Sequence, residues 1–286
     1  MKQSKWLILA VLAIVWGSSF ILIKRGLLGL TPVQLGAVRV FVASVVMLCI
    51  GWKHISSIPK SKWKFLFASS MYGIFFPAFL FAYAQTEIDS TISSILNATT
   101  PLFTLFLSVL IFGISAQKRQ YFGVIIGFIG SLMLILSGAI IHTEQNYWYA
   151  ILAILACVLY AVNINWIKKF LSDLSPMQIS MGSFTCLLPC SIIVLLNSNL
   201  GTTIHLEATQ TSIIYTAILG ICSTGLASLL FYRLIIMSSP VFASSTTYLI
   251  PVVAFMWGVF DHESIHISQL AGALVVLIGV YLSSRK

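Results

Sequence analysis

Charge is scarce in this chain: 8% of its 286 residues, against 59% that are hydrophobic. A surface so poor in charge excludes a water-soluble globular protein and suits lipid tails as solvent. Cysteine is scarce too. All five cysteines, Cys49, Cys157, Cys186, Cys190 and Cys222, fall within apolar stretches, which excludes an outer-loop disulfide framework. Cys186 and Cys190, one turn apart, read as small packing residues rather than a metal or redox pair. Strand-like alternation is missing from the apolar stretches, which excludes a β-barrel. No Asp, Glu or His stands well inside any of them. Proton coupling through a membrane-embedded acid or imidazole is therefore disfavoured, although a rim acid such as Glu87 or Asp89 stays available.

What is present is a series of apolar runs. They fall at roughly 6–23, 31–51, 65–85, 91–112, 121–141, 147–167, 176–196, 211–232, 239–260 and 267–284, each near the ~20 residues needed to cross a ~30 Å hydrocarbon core. The expected fold is an all-α integral membrane protein of ten transmembrane helices, with no room for a soluble domain. The first run follows Lys2 and Lys5 as a signal peptide would, but Lys24-Arg25 closes it without a small-residue cleavage pattern, so it reads as a retained span.

With the N-terminus in the cytoplasm, 13 of the 16 basic residues fall inside, among them Lys53, Lys62, Lys118, Lys168 and Arg233. The positive-inside rule then puts both termini in the cytoplasm of a cell (inner or plasma) membrane. Six of the seven acids, all but Asp173, fall on the outer side. The net charge of +9 is accounted for by this topology and calls for no nucleic-acid partner.

The chain repeats itself. Trp16-Gly17-Ser18-Ser19-Phe20 with Lys24, running into Thr31-Pro32, returns 144 residues later as Tyr160-Ala161-Val162-Asn163-Ile164 with Lys168, running into Ser175-Pro176. Pro101 matches Pro251, and Gly123 and Gly130 match Gly272 and Gly279. Five spans per copy is an odd number, so a first repeat over 1–142 and a second over 143–286 are expected to be inverted around a central cavity. The glycines, with Gly127, form a face for close helix approach, either a homodimer contact or a seam between spans five and ten. Pro77, Pro101, Pro189 and Pro251 fall near mid-span and are expected to kink their helices. They free the carbonyls of Gly73, Asn97, Thr185 and Thr247.

The ten-span plan, the Trp16 to Phe20 motif with Lys24, the paired prolines and the Glu263 to Gly272 stretch together resemble the EamA branch of the drug/metabolite transporter superfamily over essentially the whole length. The resemblance implies a basket of helices around a cavity open alternately to either side, lined by spans one, three, four, six, eight and nine. It implies export of amino acids, other small metabolites or amphipathic toxic compounds. The acid after span nine, Glu263, has no partner in the first copy, which reads Gly113-Ile114-Ser115-Ala116. A role capping the next helix suits it.

The candidate substrate-binding residues are Trp16, Ser19, Arg39, Asn97, Thr100, Tyr160, Asn163, Asn165, Thr247 and Tyr248, with Tyr83, Gln85, Ser223, Thr224 and Tyr232, nearer the span ends or only mildly polar, as further candidates. Two readings fit Arg39: a structural guanidinium bound to carbonyls, or a cavity charge favouring a carboxylate. Two fit Asn163 and Asn165, interhelical hydrogen bonding or substrate contact, since an unpartnered amide in hydrocarbon costs several kcal/mol. Asp261, His262, Glu263 and His266 hold metal-ligating elements, but in no definite ligand spacing; no metal and no cofactor is called for.

The function read from the sequence is an exporter of small metabolites, amino acids or related amphipathic compounds. A multidrug or organic cation carrier is the alternative. An enzyme on lipid-linked substrates would need clustered acid, base or nucleophile at one depth, which only Asp261-His262-Glu263 offers. The topology predicts that a fluorescent protein fused after Lys286 is bright and an alkaline phosphatase fused there inactive; the opposite pair of results would reverse the orientation.

Overall fold

The computed structural model describes residues 2–88, 90–136, 147–260 and 267–284, all of them helix, turn or loop with no strand. The acids and histidines of 261–266 lie outside the described residues. Six helical stretches are long and apolar enough to cross a membrane: Lys5–Gly26, Pro32–His54, Lys60–Ala84, Ala150–Phe170, Pro176–Leu196 and Glu207–Met237. Thr100–Leu110 and Pro240–Val253 are shorter and apolar.

The first of these is interrupted. Helix α1 (Lys2–Gly17) gives way at Ser18 to α2 (Ser19–Gly26). Helix α3 (Pro32–Gly51) starts from a capping box. Thr31 Oγ1 accepts from the Gln34 amide at 3.3 Å, Gln34 Oε1 accepts from the Thr31 amide at 3.0 Å, and Pro32 fits the first turn, where no N–H is needed. The third stretch is α4 (Trp63–Ser70), a π-helical turn over Met71–Phe75 and α5 (Phe76–Ala84). Then follow α6 (Ser90–Asn97), α7 (Thr100–Leu110) and α8 (Lys118–Leu136).

The second half begins with α9 (Ala150–Phe170) and α10 (Pro176–Leu196), whose Ser175 and Gln178 form the same capping box as Thr31 and Gln34. The short α11 (Leu200–Thr203) leads to α12 (Glu207–Ile218), a longer π-helical turn over Leu219–Leu226, and α13 (Ala227–Met237). The chain continues as α14 (Pro240–Ser244), α15 (Thr246–Phe260) and α16 (Ile267–Ser284).

The two capping boxes also tie α3 to α10. Gln34 Nε2 donates to the Ser198 carbonyl just past the end of α10 at 2.9 Å, and Gln178 Nε2 donates to the Ser57 carbonyl beyond α3 at 3.0 Å. Each helix start is bonded beyond the other's end, so the two lie antiparallel. Helices α8 and α16 form a second antiparallel pair, packed glycine against glycine. A Cβ on Gly279 would run into the Gly127 backbone, and one on Gly130 would lie 2.5 Å from the Val276 amide nitrogen. These glycines thus serve a seam within the chain.

Two proline expectations need correction. Pro101 does not kink a continuous helix: the chain turns at Ala98 and Thr99, and Pro101 sits in the first turn of α7. The Asn97 carbonyl is taken by the Thr100 hydroxyl at 2.8 Å. Pro77 likewise stands in the first turn of α5, after the π-helical turn has absorbed the irregularity; the Phe76 amide reaches back five residues to Met71. Pro189 and Pro251 do lie inside α10 and α15.

The seam predicts that Gly279→Val, which adds three carbons where no space exists, lowers the melting temperature in detergent by several degrees or abolishes folding, whereas Gly201→Val, which meets open space, leaves it within a degree or two. Equal melting of the two variants would refute the tight packing.

Candidate functional site: a polar cavity between crossed helices

Helix α1 packs against α13 and α15, while α9 packs against α5 and α7. Beside these two crossings lie two buried hydrogen bonds: from α2, Ser19 Oγ donates to Ser223 Oγ in the turn over Leu219–Leu226 at 2.7 Å, and from α4, Ser69 Oγ donates to Asn163 Oδ1 of α9 at 2.6 Å. Between them lies a cavity of about 90 Å³, enough for several waters. Eight of the ten candidate residues line it: Trp16, Ser19, Arg39, Asn97, Thr100, Tyr160, Asn163 and Thr247.

The aromatic walls are rigid. Trp16 donates its indole N–H to the Ser223 carbonyl at 2.9 Å and meets Phe231 edge-on, with ring centroids 4.9 Å apart. Tyr160 stacks near Phe81 at 6.0 Å, and Phe81 in turn meets Phe20 edge-on at 5.9 Å.

The polar groups are set by the helix irregularities. In the π-helical turn over Met71–Phe75, Gly73 has no side chain, and the Asn163 amide occupies the space a Cβ would fill. In the turn over Leu219–Leu226 the widened backbone presents Ser223 and Thr224. Thr224 Oγ1 accepts from Arg39 Nε at 2.6 Å, which fixes the guanidinium although Arg39 is only 8% exposed. Asn97 ends α6 at the break before α7, where its Oδ1 faces the Thr100 hydroxyl at 3.4 Å.

Asn165 and Tyr248, offered as cavity residues, point elsewhere. Asn165 is fully buried between α9 and α7, accepting from Ser108 Oγ at 2.6 Å and donating to the Thr104 and Ala161 carbonyls, each at 3.0 Å. Tyr248 donates to the Val124 carbonyl at 2.7 Å and packs its ring where a Cβ on Gly127 would stand. Both are ties between helices. Of the further candidates, Ser223, Thr224 and Tyr232 line the cavity while Tyr83 and Gln85 do not. Ser228 was missed, although it lies one turn beyond Thr224 on the same helical face, and that i, i+4 pair of hydroxyls was legible.

At the lysine-rich end of the bundle the helices are stapled together. Lys62 Nζ donates to Asp173 Oδ1 at 2.8 Å and to the Phe170 carbonyl at 2.9 Å. That hydrogen bond holds the Asp173 carboxyl below the usual carboxylate range. Lys168 caps three carbonyls at the end of α13, with Ser238 nearest at 2.7 Å, and Lys169 caps Phe112 at 3.0 Å.

Membrane-length helices crossed around a polar cavity define a polytopic membrane protein of carrier build. The chain belongs to the EamA-like transporter family, whose model matches residues 4–136 and again 147–285. It is 27% identical over 99% of its length to an uncharacterized transporter of Archaeoglobus fulgidus, all of which is covered. It is 25% identical over 87% of its length to the uncharacterized inner membrane transporter YedA of Escherichia coli, with 80% of that protein covered. One solved crystal structure superposes with a TM-score of 0.75 over 99% of this chain and 96% of that one at 14% identity, a likeness of fold. The protein is a multi-pass membrane transporter and not an enzyme.

The geometry separates neighbours in sequence. Asn165→Ala is expected to strip two hydrogen bonds from the α7–α9 contact and one within α9, at a cost of about 1–3 kcal/mol of stability, leaving the KM for cargo unchanged. Asn163→Ala is expected to change the KM. Melting curves and transport kinetics on both variants check this, and a KM change in Asn165→Ala alone would invert the assignment.

Proposed function

We propose that the protein exports small amphipathic metabolites, amino acids foremost, by alternating access of two inverted five-helix repeats covering 1–142 and 143–286. The observation that carries the reading is the cavity itself, closed by contributions from both halves. Trp16, Ser19, Arg39, Asn97 and Thr100 come from one, and Tyr160, Asn163 and Thr247 from the other. The twofold family match and the antiparallel pairs α3–α10 and α8–α16 support an inverted duplication. Both termini belong in the cytoplasm on the distribution of basic residues.

Substrate fills the gap between the halves and is passed as one half rocks against the other. The stapled end around Lys62, Asp173 and Lys168 is the closed gate of this conformation, and the lysine contacts part when that side opens. No acid or histidine lines the cavity among the described residues. Flux is therefore driven by the substrate's own gradient or by exchange. The mix of hydroxyls, amides and aromatic faces suits a molecule with one polar end and one apolar end.

In proteoliposomes loaded with a mixture of labelled amino acids, Asn97→Ala and Asn163→Ala are each expected to lower the initial efflux rate about tenfold with expression unchanged, Asn163→Ala also giving up the bond from Ser69 and about 1–3 kcal/mol of stability. Efflux that persists on replacing Glu87 and Glu207 by glutamine excludes these two acids as coupling groups. Wild-type rates in both asparagine variants would overturn the cavity as the transport site.

A further inference from the structure

Among the described residues, Arg39 is the only charged one lining the cavity. A buried guanidinium is costly unless charge or hydrogen bonds answer it. Its Nε is bonded to Thr224 Oγ1 at 2.6 Å; the remaining four of its five N–H groups have no hydrogen-bond or ion-pair partner among the described residues. The one ion pair found among those residues, Lys62 with Asp173, is elsewhere. With Nε engaged, the two terminal nitrogens are left side by side, which is the end-on fork that matches the two oxygens of a carboxylate.

The two cavity amides point the same way. Asn163 accepts from Ser69 through Oδ1 at 2.6 Å, and Asn97 Oδ1 faces the Thr100 and Cys157 donors. With the oxygens so engaged, neither NH₂ group has a hydrogen-bond partner among the described residues, that of Asn163 lying against Gly73. The cavity hydroxyls do the opposite. Thr100 and Thr247 spend their protons on the Asn97 and Ser244 carbonyls three residues back, at 2.8 and 2.9 Å, and Ser19 spends its proton on Ser223 Oγ, leaving neutral lone pairs. The cavity therefore offers one positive fork and two amide donors, and answers a cation only with uncharged oxygen and aromatic faces.

We infer that Arg39 is the specificity-determining anchor of the cavity, receiving the carboxylate of the cargo with support from Asn97 and Asn163, so that the transported class is organic carboxylates, with or without an amino group, and not organic cations. This rests on the transporter reading above and narrows it. An α-ammonium is accommodated by the hydroxyl lone pairs but is not required. A cation lacking a carboxylate meets the unanswered charge of Arg39.

The test uses the full chain in lipid nanodiscs and proteoliposomes, with paired probes that differ in the carboxylate alone: benzoate against benzamide, and L-phenylalanine against L-phenylalaninamide, with tetraethylammonium as a plain cation. The acids are expected to stabilise the wild type against heat and to compete at concentrations at least tenfold below their amides. Arg39→Lys is expected to keep part of that preference and Arg39→Gln to erase it. Should Arg39→Gln fail to fold, the acid–amide contrast in the wild type decides. Amides or tetraethylammonium binding as well as the acids, binding of none of the probes, or a folded Arg39→Gln that keeps the preference would each overturn the anchor. Counterflow of tetraethylammonium without any acid would overturn it while leaving transport standing. Acid binding with no counterflow of any probe would support the anchor and sink the carrier reading instead.

Discussion

In hydrocarbon a polar group has no water to fall back on, and every other feature of this structure follows from that constraint. The serines and threonines of the spans meet it locally. Ser44, Thr104, Thr185 and Thr216 each bond the carbonyl one turn back, so their hydroxyls are invisible to lipid. Groups too large or too multivalent for that solution, such as Trp16, Arg39, Asn163, Asn165 and Tyr248, reach across to another helix and become the joints of the bundle. The cavity is the place where the supply of internal partners runs short, and the unsatisfied donors there define what it can receive.

The irregular stretches of helix deliver those donors. A regular α-helix presents its side chains at fixed angles, while a π-helical turn widens the backbone and re-aims them. Both such turns face the cavity, and both carry glycine at the tightest contact: Gly73 beneath the Asn163 amide and Gly220 against the Arg39 carbonyl. The breaks at Ser18, between α6 and α7, and between α14 and α15 place Ser19, Asn97, Thr100 and Thr247 at the same site. Regular helix belongs to the lipid-facing scaffold, and deviation from it belongs to the site.

This division explains how much was legible in the sequence. The membrane class, the helical fold and the depth of the polar residues come from composition and from the position of each residue along its span. Azimuth is harder. Asn163 and Asn165 lie at nearly one depth yet two residues apart, about 200° round the helix, and only packing decides that the first faces the cavity and the second faces α7. Tyr248 misled for the same reason, as its neighbour Thr247 holds the cavity side. The prolines signalled irregularity at the right places, but not its form: at Pro77 a π-helical turn takes up the strain that would otherwise bend the helix, and at Pro101 a break does. The hydrogen bond from Arg39 to Thr224 spans 185 residues and leaves no local trace.

The contact of the first span with the turn over Leu219–Leu226 bears on how the molecule is made. Ser19 finds its partner 204 residues further on, at Ser223. At about 5–20 residues per second of synthesis, the ribosome needs about 10–40 s to deliver that partner after Ser19 itself has been joined to the chain. During this interval the first span sits in the bilayer with Trp16 and Ser19 unmated. The first half therefore reaches these contacts only after this part of the second has been made. Assembly waits for α13, so the nascent first half is the stage at which this protein is most open to mispairing, to quality-control proteases and to help from membrane chaperones.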